Sequence, residues 1–197
     1  MLHTTRPSIF STFRHLALLS LTLLVLNSCA LFQEDTDPTK GWSANKLYTT
    51  AKESLDEGNY EQAVKYYEKL EARYPYGTYA QQAQIETAYA HYKANEPAPA
   101  IAACDRFIKL HPNHPNLDYV YYLKGMIGFN EDLGYGGYVM QQDPTERDPK
   151  SMRESFIAFK YLYDNFPNSK YRDDSAKRMI WLVNALASHD LHVANYY

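Results

Sequence analysis

The sequence predicts an all-α chain, a solenoid of stacked helical hairpins, and three observations carry that reading. From Ser43 onward, apolar residues recur at helical spacing between Gly and Pro turns. Three helix exits share one form: Arg73-Tyr74-Pro75, Leu110-His111-Pro112 and Asn165-Phe166-Pro167. Around each proline the same residue class falls at the same distance. Ala63 and Ala100 lie twelve residues before the first two prolines, with Ser155 before the third; Ala88, Gly125 and Ile180 lie thirteen residues after. Small residues at a helix crossing let ridges settle into grooves at close range. Pro75 to Pro112 spans 37 residues, near the ~34 of a tetratricopeptide repeat. A single helical pair cannot bury its apolar stripe alone, so such hairpins must stack. An ordinary helical bundle would not require residue type and register to recur together.

The N-terminus reads differently from the rest. Arg6 and Arg14 precede an apolar run, Leu16 to Leu26, broken only by small hydroxyl residues. That run suits a signal-peptide core and is shorter than the ~20 residues a spanning helix needs. Leu26-Asn27-Ser28-Cys29 follows it at once. A charged start, an apolar run, then Leu, two compact residues and Cys resembles the lipobox cut by the lipoprotein signal peptidase. The resemblance implies a signal peptide at 1–28 and a Cys29 carrying diacylglycerol on sulfur and an acyl chain on its freed amine. The competing readings are an ordinary signal peptide with a chance Cys, or an uncleaved anchor. Ala30, where retained lipoproteins carry Asp, resembles the sorting pattern for the outer membrane. Residues 29–42 are expected to form a lipidated polar tether.

The helices then follow in order. Leu47, Ala51 and Leu55 form the first stripe, with Ser43 as N-cap and Gly58 as stop. Ala63, Val64, Tyr67, Leu70 and Tyr74 form the second, ended by Pro75 and Gly77. A third helix runs from Tyr79 to Tyr92. Pro97 opens a fourth at a position where a missing N–H costs nothing, with Ala100, Ile101, Cys104, Phe107 and Ile108 on its stripe. A fifth spans Asp118 to Phe129. Asp148-Pro149 open a sixth, with Phe156, Phe159, Leu162 and Phe166 on one face. A seventh places Ala176, Ile180, Val183 and Ala187 inward, and an eighth begins near His189. The domain is therefore 43–197, interrupted by a Gly-rich insertion at 130–148. Long insertions without a helical pattern are functional or disordered, and Tyr135 and Tyr138 make this one a candidate for contact with a partner.

Composition excludes several functions. The formal net charge is −3, and residues 1–28 hold two arginines and no acid, so the remainder is more acidic still. No block of Lys or Arg offers phosphate contacts, which excludes nucleic acid as a partner. The pairs His111/His114 and His189/His192 lack a third ligand for a metal. No Gly-rich phosphate loop, nucleophile elbow or Cys–His arrangement occurs. No catalytic residue, metal or cofactor is expected beyond the lipid on Cys29. With Cys29 lipidated, Cys104 is a buried, unpaired thiol. What stands out is tyrosine, 19 in 197 residues. Tyr67 and Tyr92 fit core positions, while Tyr74, Tyr76, Tyr79, Tyr196 and Tyr197 fall near helix ends. Such rings give large contact area at low entropy cost.

The strings GNYEQAV, RYPYGTYAQQAQ, AYAHYK, DRFIKLHPNHPN and LDYVYYLKG, followed by RDP, FPNSKY and LHVANYY, resemble the BamD (ComL) family of outer-membrane assembly lipoproteins over residues 43–197. The resemblance implies a lipid-anchored repeat protein on the periplasmic face of the outer membrane, a subunit of the BAM complex. It implies binding to the POTRA region of BamA and to other BAM lipoproteins, and reception of unfolded β-barrel substrates. The RYPYG turn then offers Tyr74, Tyr76 and Gly77 as substrate contacts, and ANYY offers Tyr197. The family usually continues for about one and a half further repeats with a capping helix, so the solenoid is expected to be C-terminally truncated at Tyr197. Two other functions compete: a repeat lipoprotein organising cell-wall or polysaccharide-export machinery, and an enzyme subunit whose active residues lie further on.

Overall fold

The computed structural model describes residues 37–133 and 149–196. The chain divides into two compact units, Met1–Gly41 and Trp42–Tyr197. In the first, the described residues 37–41 form a turn closed by Lys40 N–H to Asp37 O. The second is built of α1 Ala44–Asp56, α2 Tyr60–Arg73, α3 Thr78–Lys93, α4 Pro97–Leu110, α5 Leu117–Leu133, α6 Lys150–Asn165 and α7 Arg172–Tyr196. None of the described helices is long and apolar enough to cross a membrane.

Local chemistry sets the boundaries. The Ser43 hydroxyl accepts from Lys46 N–H, and the Asn59 side chain accepts from Gln62 N–H, so each caps an orphan donor of the first turn. Gly58 turns the chain at φ +80, a left-handed conformation that glycine adopts without a Cβ penalty. Pro97 opens α4 at its first turn. Before each proline, the residue at the helix end donates its N–H to the carbonyl four back: Tyr74 to Leu70, His111 to Phe107, Phe166 to Leu162. These three exits are the repeat seen in the sequence.

The helices form hairpins α1–α2, α3–α4 and α5–α6, and α7 packs on α6. Three apolar clusters hold them together, and each crosses a hairpin boundary. Leu47, Ala51, Leu55, Ala63, Tyr67 and Leu70 pack with Ala80, Ala83 and Ala90 of α3. The other side of α3, Ile85 and Ala88, joins Ala100, Cys104 and Phe107 of α4 and Val120, Leu123 and Ile127 of α5. Phe129 of α5 then joins Met152 and Phe159 of α6 with Leu182 and Ala185 of α7. Helices α3 and α5 are thus buried on two sides, and the second helix of each hairpin on one stripe. Fully burying a side chain such as Phe159 contributes roughly 1.5–3 kcal/mol, and the clusters make each hairpin depend on its neighbour. This is the stacked-hairpin, tetratricopeptide-like fold that the periodicity predicts.

Four expectations need correction. No eighth helix begins near His189, because α7 runs unbroken to Tyr196; no Gly or Pro interrupts residues 172–196. On α7 the buried residues are Ser175, Leu182 and Ala185, while Ile180, Val183 and Ala187 are exposed. Both faces of that helix carry apolar residues, so the periodicity selected the wrong one. Trp42, assigned to the tether, stacks on Tyr66 with centroids 5.9 Å apart and packs against the first cluster. Helix α5 also runs to Leu133, four residues into the expected insertion at 130–148.

Candidate functional site

The turn between α2 and α3 gathers aromatic side chains at one end of the first hairpin. Tyr74 leaves α2 and donates its hydroxyl to Trp42 O at 2.8 Å. Lys46 Nζ lies 4.7 Å above the Trp42 ring, within cation–π range. The chain then turns at Gly77, φ +105, where a Cβ would meet nothing within 4 Å. The backbone conformation, and not lack of space, selects glycine there. Between them Tyr76 is 92% exposed. Tyr79 opens α3 with its ring 5.4 Å from that of Tyr48, and its hydroxyl accepts from Asn45 Nδ2 at 3.0 Å. Tyr74 therefore braces Trp42, Tyr48 braces Tyr79, and Tyr76 projects from the same turn.

A related arrangement recurs two hairpins on. The turns before α5 and α7 bound a cavity of about 500 Å³ lined by Gln82, Ile85, Asn116, Tyr119, Lys170 and Tyr171. Ser169 Oγ donates to Asp118 Oδ2 at 2.6 Å, tying the two turns together. Tyr171 lies 5.6 Å from Tyr119 and stacks on Tyr122 at 4.5 Å. The Tyr122 hydroxyl donates to Asp174, which Arg178 also reaches. Burial, followed by the charge of Glu86, pushes the Tyr48 and Tyr119 phenols above their ordinary range. They stay neutral near pH 7, as apolar faces with a hydrogen-bonding tip.

Between these two places the hairpins are linked by polar contacts. Arg106 donates to both oxygens of Glu71, and Gln84 donates its amide N–H to Glu71 while its Oε1 accepts from His111 Nε2 at 2.9 Å. The rings of His111 and His114 pack on Phe107 at 4.9 and 5.0 Å. Burial, with the nearby His111, lowers the His114 pKa. The His pair at the proline turn is therefore part of the packing at the end of the α3–α4 hairpin. Cys104 is fully buried, and burial pushes its thiol up to about 12.

The structure brings Tyr74, Tyr76 and Gly77 to one turn, as the RYPYG string led us to expect. Cys29, Tyr135, Tyr138 and Tyr197 lie outside the described residues. Sequence reasoning missed Trp42, Tyr48, Tyr119 and Tyr171 as members of aromatic surfaces. The available signal was their position, each within a turn of the start of a hairpin's first helix.

The family model described as an outer membrane lipoprotein, YfiO, matches residues 41–197. The chain is 48% identical over 177 residues to the outer membrane protein assembly factor BamD of Neisseria meningitidis serogroup B, covering 88% of this chain and 66% of that protein. It is 34% identical over 192 residues to BamD of Xylella fastidiosa, covering 98% and 65%, and 32% identical over 184 residues to BamD of Haemophilus influenzae, covering 93% and 69%. The chain spans about two thirds of the length of these curated relatives. A family match over most of the sequence, and a fold of stacked hairpins that carries it, lead to one conclusion: the chain belongs to the BamD (YfiO) family of outer membrane lipoproteins.

Proposed function

We propose that this chain is a non-catalytic scaffold subunit of the BAM complex, assisting the folding and insertion of β-barrel proteins into the outer membrane. The observation that carries the reading is its membership of a family whose curated members are named outer membrane protein assembly factors. In this reading Cys29 bears the lipid, the helical array faces the periplasm, and BamA binds it through its POTRA region together with other BAM lipoproteins. No cofactor takes part.

Unfolded barrel segments are received along the aromatic turn. Tyr76 supplies an exposed ring, while Trp42, Tyr48 and Tyr79 form a braced platform beside it. Rigid aromatic rings with polar tips bind extended polypeptide with little loss of side-chain entropy. The test is a photo-crosslinking residue at Tyr76, introduced into the protein in intact envelopes. Adducts to newly exported porin-type chains, with BamA co-purifying, are expected. Adducts absent while BamA still co-purifies would remove the substrate-receiving role. Loss of BamA as well would remove the scaffold role.

A further inference from the structure

Helices α2 and α4, the second members of neighbouring hairpins, leave a furrow between them with α3 as its floor. Two adjoining hollows lie in it, of about 290 and 510 Å³, and Glu68 and His91 line both. The smaller begins at Tyr60, where α2 starts, and is closed by Ala94 and Glu96 of the turn before α4. It therefore lies at the opposite end of α2 from Tyr74, apart from the aromatic turn.

The smaller hollow is acidic. Glu61, Glu68 and Glu96 border it against one lysine, Lys65, which pairs with Glu61 at 2.6 Å. Glu96 meets the His91 ring at 2.7 Å, and with that ring neutral its charge stays uncompensated. Glu68, exposed where the hollows join, makes no ion pair among the described residues. The larger hollow differs. There Arg106 holds Glu71 through both carboxylate oxygens, and Ala72, Ala102 and Ala103 form much of the wall. Thr87 also lines it, 5% exposed, and its hydroxyl has no hydrogen-bond partner among the described residues. A buried hydroxyl left in that state gains from a polar group brought to it.

We propose that this furrow seats an extended basic segment of another protein, with one lysine or arginine in the smaller hollow and small residues across the larger. The cationic head lies between Glu68 and Glu96, and its methylene stem rests on Val64 and Ala94, as such side chains do. The alanine walls admit main chain and small side chains, and a main-chain amide there serves Thr87. Complementary charge steers the segment in and sets its register. This chain's own residues 30–36 hold two acids and no base, and 134–148 hold three acids against Arg147, so neither stretch has the charge to be the occupant. The proposal does not rest on reception of unfolded chains at the aromatic turn, and its readout is separate from the Tyr76 adducts.

The probe is a fluorescent, terminally blocked peptide alternating Lys with Ala and Gly, added to the full chain in phosphatidylcholine nanodiscs, whose zwitterionic surface does not attract it. Saturable binding of one peptide per chain is expected, weakening as salt is raised. Glu68→Gln should weaken it about threefold, the scale of one exposed ion pair, and Glu68→Lys about tenfold or more. Ala102→Trp, which fills the larger hollow without changing charge, should weaken it too. Glu154→Lys makes the same change of charge on α6 and should leave binding unaltered. No saturable binding, an equal loss from Glu154→Lys, or indifference to Ala102→Trp would overturn the proposal. So would displacement of the peptide by spermine at a lower concentration than by unlabelled peptide, since a small polyamine would then be the occupant.

Discussion

Phe159 approaches the α-carbon of Gly125 so closely that a Cβ placed there would stand 2.5 Å from its Cε1. Helices α5 and α6 meet at this point, and the Ser155 hydroxyl secures it through Gly125 O. Gly125→Ala should therefore force the Phe159 ring or the helix to shift, lowering stability by ~1–3 kcal/mol. Ala100→Leu should act similarly at the crossing of α3 and α4, where Ala100 is fully buried. Thermal unfolding checks both, and an unchanged Tm would refute the close crossings.

Tyr67 is fully buried in the first cluster, and its hydroxyl has no hydrogen-bond partner among the described residues. Burial, then Glu86, raises its pKa and keeps the phenol neutral. Removing an unsatisfied buried hydroxyl relieves a desolvation penalty of ~1–3 kcal/mol. Tyr67→Phe should leave stability unchanged or raise it in urea titrations. A clear loss would mean that the hydroxyl is bonded after all.

Asp174 links α5 to α7. Burial acts to raise its pKa, but hydrogen bonds from Arg178 and Tyr122 and the charges of Arg178 and Lys177 outweigh this and lower it. A depressed carboxyl pKa contributes stability above its unfolded value, and that contribution fades as pH falls through the folded value. Asp174→Asn should therefore be less stable than the parent near neutral pH. The gap should narrow as the pH is taken below the ordinary carboxylate range of ~3.9. Denaturation midpoints measured across that range decide it, and a gap that is constant or widens toward acid would contradict the assignment.

Tyr76 and Tyr74 occupy one turn but should behave differently. Tyr76 projects into solvent, so Tyr76→Ala should alter stability by no more than ~0.5 kcal/mol while reducing the capture of unfolded barrel segments. Tyr74 holds Trp42 through its hydroxyl, and Tyr74→Phe should cost ~0.5–1.5 kcal/mol. Paired melting and substrate-pulldown measurements separate a contact residue from a brace. Equal destabilisation by both changes would argue against the distinction.

For the lipid anchor, Cys29→Ala should give an unlipidated precursor that no longer fractionates with the outer membrane. Mass spectrometry of the N-terminal peptide and sucrose-gradient fractionation report the two effects independently. Normal fractionation of the variant would exclude anchoring through Cys29.

The sequence by itself determined the helices, their caps and their repeat. Ser43, Gly58, Pro97 and the three proline exits act on their immediate neighbours, and local interactions are legible without a fold. It also determined the second helices, because Ala63, Tyr67 and Leu70, like Ala100, Cys104 and Phe107, lie on a single stripe that can only face inward. Only the tertiary structure decided how the first helices are oriented. Helices α3, α5 and α7 carry apolar residues on more than one side, with α3 and α5 packing against both their own hairpin and the one before, and no period chooses among several apolar faces. For that reason Leu182 and Ala185 turned inward while Ile180 and Val183 stayed outside. The braced aromatic turn was likewise a tertiary outcome, because Tyr74 reaches Trp42 only once α1 and α2 pair, and Tyr79 reaches Tyr48 and Asn45 only once α1 and α3 lie side by side.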